Sequence, residues 1–227
     1  MIKDNLNEIL EKIAKSAVKS GRKTEEITLV AVTKTVGIEQ IKEITGLGVK
    51  NVGENRVQSA LSKYQALSID TGITWHMIGH LQSNKAKKAA EIFNFIQSID
   101  SLELAKEVDK QAHKLNKHIK CLVELKVSEE PSKFGIIDNN IKELLDNLSG
   151  LGNLVFCGLM SMAPYFDDPQ KARPYFSKTK KTLDDIKHLL KAPYSGAPVL
   201  SMGMSNDFES AIEEGATMVR IGTAIFK

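Results

Sequence analysis

The chain has 227 residues, with 31 basic and 28 acidic side chains and a formal net charge of +3. A charge so close to neutral argues against nucleic acid or an anionic membrane as the main partner. The composition, 42% hydrophobic and 26% charged, excludes wholesale disorder. Cys121 and Cys157 are too few for a disulfide framework or a four-thiolate metal site. With no signal-peptide pattern and no apolar stretch of about 20 residues, we expect a cytoplasmic protein.

Helical and strand patterns alternate along the chain. Apolar residues at steps of three and four predict an amphipathic first helix, which ends at Gly21. Apolar runs rich in β-branched residues then predict strands over 27–34, 49–53, 73–79, 93–99, 119–127, 154–160, 197–203 and 216–222. Helices are predicted between them over 38–47, 54–67, 84–92, 101–116, 138–148, 169–191 and 207–214.

This alternation indicates an all-parallel α/β fold with one extra helix in front. The two solutions are a closed (β/α)₈ TIM barrel and an open doubly wound sheet. The number of strands and the short, even connections favour the barrel. Because no Pro-, Gly- or Ser-rich linker divides the chain, we predict a single domain over residues 1–227.

The carboxyl ends of the strands form the active face of such a barrel, and Lys34 stands at the first of them. Burial among apolar walls would disfavour its ammonium form, and a free amine can form a Schiff base with an aldehyde. The alternative is a lysine that extends to solvent at a strand end, which is the more common case without further evidence.

The segment SMGMSNDF (201–208) leads from the seventh strand into a helix, with Ser205 or Asn206 placed to cap it. Free N–H groups and the helix dipole make such a segment a phosphate site. RIGT (220–223), at the next strand end, supplies more N–H groups and a hydroxyl. Loops after strands seven and eight often hold phosphate in this architecture. The alternative is a capped helix and a tight turn, which any α/β protein needs.

Two histidines and a lysine are further candidates. His76 and His80 are four residues apart, but no glutamate follows the first and a strand precedes it, so we expect no metal binding. We expect one of them near the barrel rim and the other facing the pocket. Lys133, in the loop after strand five, is either a second amine near the mouth or a solvated loop residue.

Several long segments are similar to those of one known family. These are LVAVTK (29–34), VGENRVQ (52–58), WHMIGHLQSNK (75–85), EEPSKFGI (129–136), GLMSMAP (158–164) and LSMGMSNDFESAIEEGATMVRIGTAIF (200–226). Together they resemble the pyridoxal phosphate homeostasis protein family, whose members have the fold of the alanine racemase N-terminal barrel. The resemblance runs in register from about residue 27 to the last residue.

This resemblance implies that pyridoxal 5′-phosphate (PLP) is held as an internal aldimine on Lys34. It also implies that the phosphate is anchored by Ser201, Ser205, and the backbone and hydroxyl of Gly222 and Thr223. The expected function is to carry PLP and to deliver or buffer it in intracellular PLP homeostasis. Expected partners are PLP-dependent apo-enzymes and free amino acids, with no nucleic acid or membrane, and we expect a monomer.

The resemblance further implies that Arg220 faces the pyridine nitrogen and that Asn55 lies beside the ring. An arginine there keeps the nitrogen unprotonated, which makes the ring a weak electron sink. Racemisation also needs two acid/base groups on opposite faces of the substrate, and in the racemases the opposing tyrosine belongs to a separate C-terminal domain. No motif places a tyrosine there among Tyr64, Tyr165, Tyr175 and Tyr194.

We therefore predict a binding protein without catalytic residues. The first alternative is a slow PLP-dependent amino-acid racemase that uses Lys34 together with solvent or His80 as proton source. A second alternative is a phosphosugar-binding barrel that forms no Schiff base.

Overall fold

Eight parallel strands close into a ring in sequence order, so that the first strand pairs with both the second and the last. The computed structural model describes residues 1–67, 72–128, 134–137, 140–148, 150–190 and 196–227. The strands are β1 Thr28–Val32, β2 Asn51–Glu54, β3 Thr74–Met77, β4 Phe95–Ile99, β5 Ile119–Leu125, β6 Leu154–Ser161, β7 Val199–Ser201 and β8 Met218–Ile221. The predicted TIM barrel is confirmed, and the open sheet is wrong.

Helices cover the outside of the ring. They are α1 Ile2–Lys19, α2 Ile38–Gly46, α3 Val57–Ala66, α4 Ala86–Ile92, α5 Leu102–Lys114, α6 Ile141–Leu148, α7 Arg173–Ile186, α8 Phe208–Glu213 and α9 Thr223–Phe226. The extra helix in front is confirmed as α1, whereas α9 was not predicted. In the described part of the chain, no helix combines the length and the apolarity that a membrane crossing needs. One domain over residues 1–227 stays a prediction.

The alternation of side chains along each strand separates two apolar layers. Leu29 and Ala31 of β1 belong to the large outer layer between strands and helices, whereas Val30 lies in a smaller cluster inside the barrel. The other buried members of the inner cluster are Phe95, Leu122, Val155, Cys157, Met160 and Met218. Buried polar side chains share this interior with them and form part of the site described below.

A bulge in β6 reverses which of its residues face inward. Gly158 has a φ of 147°, and the pairing of β5 with β6 shifts register beside it. Cys157 and Met160 both belong to the inner cluster although they are three residues apart, while Leu159 belongs to the outer layer. One extra residue in the strand therefore changes its alternation, as bulges do.

The N-terminal helix fastens the last units of the barrel. α1 packs against α8 and α9, and its Asn5 Nδ2 donates to Ile225 O at 3.0 Å. Arg22, just after α1, donates to Ala216 O at 2.8 Å and also to Ile212 O. These two carbonyls lie in α8 and in the turn before β8, so the first segment of the chain supports the elements that flank the eighth strand end.

Candidate cofactor site

The ends of β1, β2 and β8 meet at one sector of the barrel rim. Val32 pairs with Gly53, and Thr33 N donates to Gly53 O at 2.9 Å, so the register brings Lys34 beside Asn55. Lys34 is exposed at this rim and Asn55 is half-buried. The expectation that Lys34 is buried is therefore wrong, since its side chain extends beyond the strand to solvent.

Gly222 completes this sector from the other side of β1. A Cβ at Gly222 would meet both Cβ and O of Val32 at 3.1 Å, so the end of β8 packs closely against β1. Two backbone N–H groups near this point converge on one oxygen. Ser205 Oγ accepts from Gly222 N at 3.4 Å and from Ala224 N at 3.3 Å. We call Ser205, Gly222 and Ala224, with the exposed Thr223 between the last two, the cradle.

The prediction that Ser205 or Asn206 caps α8 is wrong. Asp207 is the N-cap of this helix, and its Oδ1 accepts from Met204 N at 2.6 Å. Asn206 instead donates from Nδ2 to Phe166 O at 2.8 Å. The hydroxyl of Ser205 is therefore not used as a cap and instead accepts from the two N–H groups after β8.

Arg220 lies inside the barrel below this rim and is 3% exposed. Its Nη1 donates to Ser201 Oγ at 2.6 Å and its Nη2 to Ser161 O at 3.0 Å. Burial lowers the pKa of Arg220 to about 10, and the charges of Glu124 and Asp207 oppose this shift. The guanidinium is thus a cation at neutral pH that is held in one orientation by β6 and β7.

Ser201 occupies a different level from the cradle. Its Cα pairs with that of Met218, four residues before Gly222 and roughly 13 Å lower along the strand. Its fully buried hydroxyl accepts from Arg220 and donates to Gln97 Oε1 at 2.7 Å. This hydroxyl orients Arg220, and the phosphate contact of Ser201 stays a prediction.

A chain of hydrogen bonds continues from Ser201 across the interior. Gln97 Nε2 donates to His76 Nδ1 at 2.9 Å, and His76 Nε2 lies 3.0 Å from Asn51 Oδ1. Because Nδ1 accepts, the proton of the neutral ring is on Nε2 and is donated to Asn51. From Arg220 to His76, each side chain in this series therefore donates to the next one along it, and His76 donates to Asn51. Burial, helped by the charge of Lys120, lowers the pKa of His76 to about 3, so the ring stays neutral.

Acidic groups flank the other side of the mouth. Glu124 of β5 is 3% exposed, and burial together with the charge of Asp100 raises its pKa to about 7, although Arg220 acts in the opposite direction. At the rim His80 Nδ1 lies 3.0 Å from Asp100 Oδ2, and its ring stacks on Phe134 at 3.7 Å. Sequence reasoning missed Glu124, although a charged residue inside the fifth apolar run was a signal.

The structure also gives the positions of both histidines and of two of the tyrosines considered above. His80 lies at the rim and His76 deep inside, and among the described residues no group of three or more His, Cys, Asp or Glu could hold a metal ion. Tyr64 packs edge-on against Trp75, and Tyr175 lies against Phe166, each with ring centroids 5.9 Å apart. Lys133 and Tyr194 lie outside the described residues.

Comparison with known proteins agrees with this barrel. A family model of the alanine racemase N-terminal domain matches residues 5–227. An alanine racemase of Clostridium difficile 630 superimposes with a TM-score of 0.73 at 14% identity, covering 99% of this chain and 56% of the racemase. The protein therefore belongs to the class of barrels defined by the alanine racemase N-terminal domain.

Relatives with higher sequence identity define the family within this class. A pyridoxal phosphate homeostasis protein of Aquifex aeolicus (strain VF5) is 43% identical over 224 residues, 98% of this chain and 96% of the relative. PipY of Synechococcus elongatus PCC7942, in its structure with PLP bound, is 34% identical with a TM-score of 0.81 over 95% of this chain and 100% of PipY. The chain belongs to the pyridoxal phosphate homeostasis protein family, which confirms the resemblance carried by its motifs.

Proposed function

We propose that this protein binds PLP at the barrel mouth, attaches it through Lys34, and buffers or delivers it as a monomer in the cytoplasm. One observation carries the proposal: an exposed amine, a cradle of backbone N–H groups and a buried arginine meet at the ends of β8 and β1. The PLP-bound structure of the relative PipY supports the choice of cofactor.

The residues present fit this cofactor. Two N–H groups that already converge on the hydroxyl of Ser205 are donors of the kind that phosphate oxygens accept from. Gly222 has no Cβ to hold a ligand away from the backbone, and Thr223 offers an exposed hydroxyl beside it. We propose Ser205, Gly222 and Thr223 as the phosphate anchor and Asn55 as the neighbour of the ring.

PLP supplies an aldehyde that condenses with amines and a ring that withdraws electrons. On attachment, a C=N bond forms between Lys34 Nζ and the aldehyde carbon, and one water molecule leaves. Because Lys34 is exposed rather than buried, the amine of an amino acid or of an apo-enzyme lysine has a path to the same carbon. The exposure that contradicts our first expectation therefore favours reversible loading over a sealed catalytic site.

Two features favour a carrier over an enzyme. Arg220 is a buried cation, and a cation near the pyridine nitrogen disfavours protonation of that nitrogen. Of the described tyrosines, Tyr64 and Tyr175 pack against Trp75 and Phe166, and Tyr165 in the loop after β6 is exposed rather than held in a pocket. The curated relative is likewise named for homeostasis and not for a reaction.

One observation keeps the racemase alternative in view. Glu124 at the mouth has a pKa of about 7 and could exchange protons near neutral pH. Incubation of the loaded protein with L- and D-alanine in deuterated water separates the two functions. Rapid α-deuteration with loss of chirality, abolished in Glu124→Gln, would establish the enzyme. Transfer of PLP to an apo-enzyme without deuteration would establish the carrier.

Attachment at Lys34 is tested by saturating the protein with PLP, reducing it with borohydride and mapping the modified peptide by mass. We expect the adduct on Lys34, its loss in Lys34→Ala, and its retention in Lys42→Ala, which removes an exposed lysine from α2. Circular dichroism should show the barrel intact in both variants, since neither side chain is part of the core. A reducible adduct of full yield in Lys34→Ala would refute the proposal.

A further inference from the structure

A groove of about 460 Å³ opens at the rim beside the barrel mouth. It lies between the segment that follows β2 and the segment that follows β3, and its volume is within the range of small-molecule sites. Its polar lining consists of Asn55, Arg56, Gln58, His80, Gln82 and Lys85.

The charge of this groove selects for anions. Arg56 and Lys85 are both exposed, and neither side chain forms an ion pair with a described residue. No Asp or Glu is among the residues that line the groove. An arginine fork matches the two oxygens of a carboxylate, and the amides of Gln58 and Gln82 add further donors.

The position of the groove links it to Lys34. The cradle lies at the ends of β7 and β8, Lys34 at the end of β1, and the groove beyond the ends of β2 and β3. Asn55, which the register places beside Lys34, also lines the groove. Lys34 itself does not line the groove, so an anion there would lie beyond Asn55, on the side of Lys34 opposite the phosphate cradle.

We propose that the groove binds the α-carboxylate of a free amino acid whose amine exchanges with Lys34. This inference rests on the proposed function and names the substrate class of the same site. In the exchange, the C=N bond to Lys34 Nζ breaks as a C=N bond to the amino-acid nitrogen forms, and the two hydrogens of the incoming NH2 group pass to Nζ, which leaves as a free amine. Arg56 and Lys85 fix the carboxylate so that the amine faces the carbon.

The test begins without cofactor. The apo-protein is titrated with L-alanine and, separately, with L-alaninamide, while NMR follows the side-chain amides of Gln58 and Gln82. We expect saturable shifts with L-alanine only. Arg56→Gln and Lys85→Gln should each raise the dissociation constant for L-alanine about tenfold, the weight of one charge-assisted hydrogen bond.

Lys87→Gln is the matched control. Lys87 is exposed on α4, the helix that begins directly after Lys85, and its side chain does not line the groove. Equal weakening by Lys87→Gln would show general surface charge and overturn the inference. It is also overturned if L-alaninamide shifts the same amides as strongly, or if inorganic phosphate binds there more than tenfold tighter than L-alanine.

A second measurement uses the loaded protein. The rate at which L-alanine removes PLP from Lys34 should fall about tenfold in Arg56→Gln, while the rate with ethylamine stays unchanged. Equal loss with both amines would contradict a carboxylate site. The two proposals fail separately: absence of an adduct on Lys34 refutes the proposed function, whereas the apo-protein titration reports on the groove whether or not PLP is attached.

Discussion

At the scale of single residues, the polar interior of the barrel makes stability depend on pH. His76 is neutral in the folded protein because burial lowers its pKa to about 3, while in the unfolded chain it titrates near 6.5. The unfolded state therefore binds more protons below pH 6.5, and stability is lost as the pH falls from there. Each pH unit costs about 1.4 kcal/mol until the folded pKa is reached.

Substitution of this histidine tests the argument. In His76→Gln, the free energy of unfolding should fall less steeply than in the wild type between pH 6.5 and about pH 5, by roughly 1 kcal/mol per pH unit. The slope is measured by urea unfolding across this range, so the cost of the substitution itself cancels. His188→Gln, which changes an exposed histidine, should leave the slope as in the wild type. Parallel slopes in wild type and His76→Gln would contradict the neutral, buried ring.

Glu124 acts in the opposite direction. Its folded pKa is raised from 4.5 to about 7, so the folded state holds a proton that the unfolded chain releases, and stability falls as the pH rises from 4.5 to 7. Glu124→Gln should therefore gain stability relative to the wild type between about pH 5 and pH 8, on the order of 2 kcal/mol. Exposed Glu103→Gln is the control. A constant difference across this range would show that the carboxyl is not protonated.

From the sequence, the rule that strand ends form the site predicts Lys34, Asn55, Arg220 and Gly222 as candidates, and their roles stay a prediction. The rule could not show whether a residue at a strand end faces the barrel interior or the outer helices. Glu54 stands at a strand end like its neighbour Asn55, yet its Oε1 accepts from Thr33 at 2.6 Å on the outer side of the barrel. Gln97 and Glu124 were missed for the same reason, because they interrupt apolar runs without any local motif.

At the scale of elements, the bulge at Gly158 decides which side chains of β6 reach the interior. A Cβ there would lie 2.0 Å from Val199 O, and the φ of 147° strains any residue other than glycine. We expect Gly158→Ala to lower the free energy of unfolding by roughly 3 kcal/mol or more. Gly46→Ala, at the end of α2 with nothing within 4 Å, should be neutral or slightly stabilising. Equal unfolding midpoints for the two variants would contradict the strained bulge.

The elements themselves were largely readable from hydrophobic periodicity. The eight strands and the helices between them follow the predicted order. Five strands end earlier at the rim than predicted, as the predicted strand 27–34 does at Val32, whereas β2 and β6 each run one residue further. Periodicity could not show the register shift beside Gly158, since an extra residue in a continuous apolar run leaves composition unchanged. It also could not show α9, whose four residues are too few for a helical pattern.

At the scale of the molecule, the closed ring couples distant contacts. Arg22 fastens α1 to the turn before β8, whereas Trp75, the single tryptophan, lies in β3, three strands further round the ring. If residues 1–227 form one domain, loss of the Arg22 contacts must destabilise the surroundings of Trp75 as much as the rest.

This gives a test of the single domain. Arg22→Gln removes two hydrogen bonds from a charged donor to backbone carbonyls and should cost about 2–3 kcal/mol. Lys19→Gln, which removes the ion pair to Glu213 from a largely exposed lysine, should cost less than about 1 kcal/mol. For each variant, the urea midpoint from Trp75 fluorescence should shift as far as the midpoint from far-UV circular dichroism. A shift in circular dichroism alone would show that the barrel unfolds in parts, because Trp75 would then report a unit that the Arg22 contacts do not support.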